Sequence, residues 1–118
     1  MVSPEREKIM AAYLISVCRS VADRSRLEEY WANAAPSFEG FGAKPLVAYA
    51  PFEVLEGYAP VKGVVLFEFP SAESAKRWYT SQKYQDVKRQ RDGAAEFELI
   101  LVEGGWKPAA ERMPETKT

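Results

Sequence analysis

Apolar residues alternate with a period of two in four short segments of the chain, at residues 11–19, 43–49, 64–69 and 97–103. This period is typical of β-strands, because successive side chains of a strand point to opposite faces of a sheet. In the third segment both alternating sets are apolar, with Val64 and Leu66 on one face and Val65, Phe67 and Phe69 on the other. The pattern therefore predicts four strands whose sheet is covered on both faces.

Two of the segments between these strands have helical spacing instead. Asp23 and Ser71 are of the residue types that cap helix N-termini, and each precedes such a segment. Pro36 predicts a kink or a restart within the first helix, because proline lacks the N–H that a continuous helix needs. The second helix is predicted to run from Ser71 past Arg91 and to end near Gly93. The first helix is predicted from one apolar stripe at i, i+3, i+4 and i+7: Leu27, Tyr30, Trp31 and Ala34.

The predicted order is β-α-β-β-α-β, which is the ferredoxin-like plan of an α+β fold. In this plan two helices cover one face of a four-stranded antiparallel sheet and leave the other face bare. Because both faces are apolar here, we expect a second copy of the chain to cover the bare face. The result would be a homodimer with two sheets packed face to face, a dimeric α/β barrel. Pro51 predicts that the second strand lies at a sheet edge or contains a bulge, with residues 53–56 as a short continuation.

The patterned sequence predicts a single domain over residues 11–106. A length of 118 residues is enough for one modest hydrophobic core. Residues 1–10 and 107–118 are rich in charge or proline and have no apolar period, so we expect a flexible N-terminal extension and a flexible C-terminal tail.

Composition excludes several classes of function. The net charge of −1 gives no basic excess for nucleic acid, and the absence of histidine removes Ser-His-Asp and Cys-His catalysis and the usual zinc sites. We expect no metal, no nucleotide cofactor and no membrane partner, since the chain has neither a Gly-rich strand-to-helix turn nor an apolar run of ~20 residues. Cys18 is the only cysteine, so no intramolecular disulfide can form, and we expect a cytoplasmic protein.

Several motifs together resemble a known bacterial family. The most specific is the strand end Glu68-Phe69-Pro70-Ser71 followed by Trp78-Tyr79; segments 11–15, 53–57 and 102–104 add to it. In these residues the chain is similar to the uncharacterised family named domain of unknown function thirteen-thirty, within the dimeric α/β-barrel superfamily. The likeness covers about residues 10–105. It implies the ferredoxin-like fold and the dimer, and it implies no settled activity because the superfamily hosts many.

Glu68 is the candidate catalytic residue. It shares a strand face with Val64 and Leu66, and a carboxylate on an apolar face is either paired or raised in pKa, as functional acids often are. The alternative is a structural ion pair or a solvated sheet end. We expect the helices to cover the opposite, aromatic-rich face of this strand. The candidate ligand-binding residues are polar aromatic or charged: Tyr13, Tyr30, Glu56, Tyr79 and Arg91.

Two functions fit these observations. One is a small cofactor-independent enzyme or ligand-binding protein, similar to the superfamily's small monooxygenases and isomerases. It would hold an organic molecule in a pocket between sheet and helices, with Glu68 as acid or base. The alternative is a non-catalytic dimeric module with a structural or stress-related role. A deep pocket with a poorly paired carboxylate favours the first, and a filled interior with an ion-paired Glu68 favours the second.

Overall fold

The fold is a four-stranded antiparallel sheet with its helices on one face. The computed structural model describes residues 10–112. The elements are β1 (Ala12–Val21), α1 (Arg24–Ser37), β2 (Lys44–Ala48), β3 (Gly63–Phe69), α2 (Ala72–Thr80), α3 (Gln82–Lys88) and β4 (Ala95–Glu103), with short 3-10 turns at Arg89–Arg91 and Ala109–Glu111. The strand order is β2-β3-β1-β4, which confirms the predicted ferredoxin-like α+β fold. Residues 1–9 of the predicted extension and 113–118 of the predicted tail lie outside the described residues.

The strand register separates the sheet into two faces. On the helix side, Leu14 of β1 lies between Phe67 and Leu101. On the other side, which we call the open face, Ile15 lies between Leu66 and Ile100. The open face consists of three cross-strand rows: Glu98, Val17 and Val64; Ile100, Ile15, Leu66 and Val47; and Val102, Tyr13, Glu68 and Lys44.

Stacked aromatic rings form the core between the helices and the sheet. The ring of Phe38 stacks on Phe67 and on Trp78, with centroids 4.3 and 4.5 Å apart and interplanar angles of 12° and 11°. The Trp78 indole Nε1 donates to the Ser37 hydroxyl at 3.0 Å, and that hydroxyl donates to the Ala34 carbonyl. These bonds satisfy the buried polar atoms, so the indole packs without an unpaired donor.

Helix α1 begins where it is predicted to begin, but its end differs from the prediction. Asp23 accepts a hydrogen bond from the Arg26 backbone N–H at 3.2 Å, and this bond holds the pKa of Asp23 below its ordinary value. The restart predicted at Pro36 is wrong, because α1 runs through Pro36 and ends at Ser37. The missing proline N–H affects only the last turn, where the helix terminates.

The single helix predicted after Ser71 is two helices. Ser81 adopts an extended backbone, with φ −63° and ψ 147°, and is at once the C-cap of α2 and the N-cap of α3. Its hydroxyl donates to the Trp78 carbonyl at 2.7 Å and accepts from the Tyr84 N–H at 3.2 Å. In one straight helix, residues 78 and 84 would point about 120° apart at about 100° per residue. The break lets both rings enter the core, with centroids 4.1 Å apart.

The segment between β2 and β3 is irregular, so the strand continuation predicted at residues 53–56 is wrong. Tyr49 directly after β2 has a positive φ of 58°, which turns the chain away from the sheet. Two hydrogen bonds join the end of this segment to β1: the Lys62 N–H donates to the Cys18 carbonyl, and the Arg19 side chain donates to the Pro60 carbonyl. The prediction for β2 itself is confirmed, since β2 is an edge strand with an irregularity between Pro45 and Val47.

The ring of Tyr49 lies directly over Gly63, the first residue of β3. A Cβ atom at position 63 would overlap the ring atoms Cδ1 and Cε1 of Tyr49. The Tyr49 N–H also donates to the Val64 carbonyl at 2.9 Å. Glycine is therefore required here by the close approach of the aromatic ring.

We predict that Ser81→Ala lowers the free energy of unfolding by about 1 kcal/mol, because one side chain caps two helices. Urea denaturation followed by circular dichroism measures this change. Thr80→Ala is the matched control: its exposed hydroxyl bonds only to the Lys76 carbonyl, and its removal should change stability by less than about 0.5 kcal/mol. Equal effects of the two substitutions would contradict the role of Ser81.

We predict that Gly63→Ala destabilises the protein by about 1–3 kcal/mol, because the new methyl group displaces the Tyr49 ring. The same substitution in a Tyr49→Ala background should cost at least about 0.5 kcal/mol less, since the clash is then absent. A double-mutant cycle by chemical denaturation tests this coupling. Strictly additive effects would show that the ring and the glycine do not interact.

Candidate functional site

A cavity of about 290 Å³ lies between α1 and the helix side of the sheet. Helix α1 contributes Tyr30, Trp31 and Ala34 to its wall, and the sheet contributes Ser16, Phe67 and Phe97. None of the described residues that line the cavity is charged. The lining is thus aromatic and aliphatic, with a few hydroxyl groups.

Small residues at facing positions create this space. Ser16 on β1, Ala34 on α1 and Ala48 on β2 all line the cavity, where larger side chains would fill it. The apolar stripe of α1 places Tyr30, Trp31 and Ala34 on the side facing the sheet. The cavity therefore exists because small side chains occupy these positions of an otherwise regular helix and sheet.

Three polar groups at the cavity wall belong to residues outside the predicted set: Ser16, Trp31 and Tyr49. The Trp31 indole Nε1 donates to the Tyr49 hydroxyl at 2.9 Å, and the two rings pack with centroids 4.9 Å apart. Burial raises the pKa of Tyr49 to about 12, so this hydroxyl stays protonated at physiological pH. The Ser16 hydroxyl makes no hydrogen bond to another described residue.

A buried arginine stands behind one wall of the cavity. Arg91 is only 8% exposed, and its guanidinium lies over the rings of Tyr30 and Phe97, 5.1 and 4.9 Å from their centroids. Its Nη1 donates to the Tyr84 hydroxyl at 3.1 Å and makes a longer contact of 3.4 Å with the Tyr30 hydroxyl. Within residues 10–112, no carboxylate forms an ion pair with Arg91.

The two tyrosine hydroxyls also bond to each other, with the oxygens of Tyr30 and Tyr84 2.7 Å apart. Burial raises the pKa of both phenols, and the positive charge of Arg91 opposes that rise. Both tyrosines are therefore neutral at physiological pH and able to donate a proton in a hydrogen bond. We call Tyr30, Tyr84 and Arg91 the tyrosine–arginine network.

Backbone and side-chain contacts fix Arg91 in this position. It ends the 3-10 turn that continues α3. Two bonds from α1 clamp this turn: Asn33 donates to the Gln90 side chain at 2.9 Å, and Arg26 donates to the Asp92 carbonyl at 2.7 Å. The turn and α1 thus hold the guanidinium against Tyr30.

The structure brings two of the predicted site residues together and separates the others. Tyr30 and Arg91 belong to one network, with only Tyr30 at the cavity wall. Tyr13 and Glu68 are cross-strand neighbours on the open face, and Tyr79 packs beside Tyr84 without lining the cavity. Glu56 is exposed in the segment between β2 and β3.

Glu68 lies on the face of the sheet opposite to the cavity. Its Oε1 is 4.0 Å from the Lys44 Nζ, and its side chain is partly exposed. The geometry does not place this carboxylate beside the cavity, and its role as an acid or base stays a prediction. Sequence reasoning missed Ser16, Trp31, Tyr49 and Tyr84 as site residues. Trp31 shares the predicted α1 stripe with Tyr30 and could have been found from that signal.

Metal-ligand clusters and membrane-spanning helices are both absent from residues 10–112. Between residues 10 and 112 no group of three or more His, Cys, Asp or Glu side chains could hold a metal ion. None of the helices over the same residues has the length and hydrophobicity needed to span a bilayer.

Solved structures with the same fold cover most of the chain. A protein of unknown function from Rhodopseudomonas palustris is 18% identical, with a TM-score of 0.66 over 92% of this chain and 97% of that one. A dimeric ferredoxin-like protein of unknown function from Bacteroides fragilis is 10% identical, with a TM-score of 0.51 over 80% and 96%. SnoaB, a cofactor-independent oxygenase from Streptomyces nogalater, is 10% identical, with a TM-score of 0.50 over 90% and 97%. At these identities the likeness shows the fold alone.

The sequence comparison identifies the family. No curated protein matches the chain. The family described as Domain of unknown function (DUF1330) matches residues 11–105, which include every strand and helix of the sheet domain and all residues of the cavity wall and the tyrosine–arginine network. The chain therefore belongs to the DUF1330 family, as its strand-end and Trp-Tyr motifs predict.

Proposed function

We propose that the protein binds a small, mainly aromatic organic molecule in the cavity between α1 and the sheet. The observation that supports this proposal is the volume of about 290 Å³ inside an aromatic wall. An apolar cavity of about 150 Å³ in another protein accommodates benzene, so this one has room for a molecule of two fused rings. Apolar pockets with a few polar groups are the usual form of small-molecule sites.

Binding is favoured over acid–base conversion by the position of the charged groups. No carboxylate is among the described residues of the cavity wall, and Glu68 lies on the other face of the sheet. Conversion without a cofactor, the activity given for SnoaB, is a second candidate. The feature that favours it is the tyrosine–arginine network, because fixed donors stabilise an oxygen that gains negative charge during a reaction. Product formation from a bound molecule in air, followed by chromatography, distinguishes conversion from binding.

We also propose that a second copy of the chain covers the open face. Ile100 and Val102 on this face are 51% and 45% exposed, and Ile100 belongs to a row of four aliphatic side chains. Contiguous exposed apolar surface of this kind marks interaction sites. The Bacteroides fragilis protein with the same fold is described as dimeric, which supports a pairing of two like sheets. A stable dimer requires about 1,200 Å² or more of buried surface in total. Two four-stranded sheets that pack face to face can bury an area of this size.

We predict that the wild-type protein binds 2-ethylnaphthalene and that Ala34→Phe weakens this binding at least about tenfold, because the larger side chain occupies the cavity. Quenching of tryptophan fluorescence follows binding, since Trp31 and Trp78 line the cavity and Trp106 is far more exposed. Isothermal titration calorimetry confirms the affinity independently.

Ala32→Phe is the matched control for this prediction, because Ala32 is an exposed residue of the same helix. It should leave the affinity within about twofold of wild type. Absence of binding by the wild-type protein would contradict the proposed function and would favour a non-catalytic module.

We predict that the wild-type protein is a dimer at micromolar concentration and that Ile100→Lys makes it monomeric. A lysine in the middle of an apolar interface would have to bury an unpaired charge. Analytical ultracentrifugation measures the change. Ala32→Lys adds the same charge on the outer side of α1 and should leave the dimer intact. A wild-type monomer at tens of micromolar would contradict the proposal.

A further inference from the structure

The hydrogen-bond donors of the tyrosine–arginine network exceed its acceptors. The two phenol oxygens accept from Arg91, and one of them also accepts from the other hydroxyl. Two hydroxyl hydrogens are present and only one is used between the tyrosines. No other described residue accepts the second hydrogen.

Burial decides which tyrosine has the free hydrogen. Tyr84 is 0% exposed and does not line the cavity, so a free hydrogen there would be buried without an acceptor. An unsatisfied buried donor costs about 1–3 kcal/mol. Of the two tyrosines, Tyr30 is the one that lines the cavity, so an acceptor in the cavity can approach its hydroxyl more readily than that of Tyr84. The favoured arrangement therefore has Tyr84 donating to Tyr30, and Tyr30 donating into the cavity.

This order connects the charge of Arg91 to the cavity through a chain of hydrogen bonds. Arg91 donates to the Tyr84 oxygen, Tyr84 donates to the Tyr30 oxygen, and the Tyr30 hydrogen remains for the ligand. Bonds in such a chain polarise one another, and a charged donor at its start strengthens those that follow. Arg91 forms no ion pair with a carboxylate within residues 10–112, so no direct partner neutralises the charge at the start of the chain.

The other hydroxyl groups at the cavity wall are also available as hydrogen-bond donors. The Tyr49 oxygen already accepts from the Trp31 indole, so its hydroxyl hydrogen is available, and the Ser16 hydroxyl is without a described partner. Three of the residues that line this mainly apolar space therefore carry a hydroxyl donor, and its described wall contains no carboxylate. A ligand that itself brings only donors would leave these hydrogens unpaired.

We infer that the molecule bound in the cavity is an aromatic carbonyl compound, a ketone or a quinone, whose oxygen accepts a hydrogen bond from Tyr30. This inference rests on the proposed function and specifies its ligand class. The rings fill the apolar volume, and the carbonyl oxygen takes the hydrogen that the network leaves free. Tyr84 and Arg91 act through Tyr30 as positioning residues.

The test compares two probes of nearly the same shape, 2-acetylnaphthalene and 2-ethylnaphthalene, which differ in having a carbonyl or a methylene group at one position. Their affinities are measured for the wild-type protein and for Tyr30→Phe. The substitution should weaken binding of the ketone about tenfold and leave binding of the hydrocarbon within about twofold. The hydrocarbon shows in the same sample whether the cavity of the variant is intact.

Infrared spectroscopy of the bound ketone tests the hydrogen-bond chain. The carbonyl stretching frequency should be lowest in the wild-type protein, higher in Tyr84→Phe and highest in Tyr30→Phe, because each substitution weakens or removes the donor. A role of Tyr84 in packing alone would not move this frequency. An unchanged frequency in Tyr84→Phe would overturn the chain.

The outcomes separate this inference from the proposed function. Binding of both probes with equal losses in Tyr30→Phe, or with no loss for the ketone, would overturn the inference and leave the cavity as an apolar binding site. Failure of both probes to bind the wild-type protein would overturn the proposed function and the inference with it.

Discussion

The hydroxyl group of Ser81 controls the path of the chain that leads to the site. It ends α2 through the Trp78 carbonyl and begins α3 through the Tyr84 N–H. Because the chain changes direction there, Trp78 and Tyr84 both enter the core instead of pointing about 120° apart on one helix. The following turn then delivers Arg91 to the back of the cavity wall. A single capping residue thus positions the aromatic core, the buried cation and the network between them.

Burial of Arg91 without a carboxylate is energetically expensive unless other groups compensate. Two phenol oxygens accept from its Nη1, and the faces of Tyr30 and Phe97 provide cation–π contacts on the guanidinium. A guanidinium is planar and weakly hydrated, which suits this sandwich better than the strongly hydrated ammonium of lysine. The compensation leaves the positive charge in place. A positive charge therefore stands permanently behind the cavity wall, beside the Tyr30 hydroxyl.

The sequence predicts the sheet better than it predicts the site. Alternation of apolar residues gives the four strands and the two-sided sheet, because the strand period is strict. Sequence reasoning also identifies Tyr30 and Arg91 individually as candidate site residues. Nothing in the sequence indicates that these two residues, 61 positions apart, contact each other. The break at Ser81 was missed, since serine also occurs inside helices and only the buried Trp78–Tyr84 pair makes its cap necessary. Alternation places Glu68 on one face of β3, but the location of the cavity depends on small residues that face each other across elements, such as Ser16 and Ala34.

The two faces of the sheet support two proposals that are physically separate. Leu14 contributes to the cavity and its neighbour Ile15 to the open face, because adjacent residues of β1 point in opposite directions. The open face lies on the side of the sheet opposite to the cavity, so the proposed partner would contact residues other than those of the cavity wall. The partner would cover the rows around Ile15 and the Glu68–Lys44 pair instead. The proposed binding in the cavity and the proposed pairing of the sheets therefore involve different side chains of the same strands, so substitutions on the two faces test the two proposals separately.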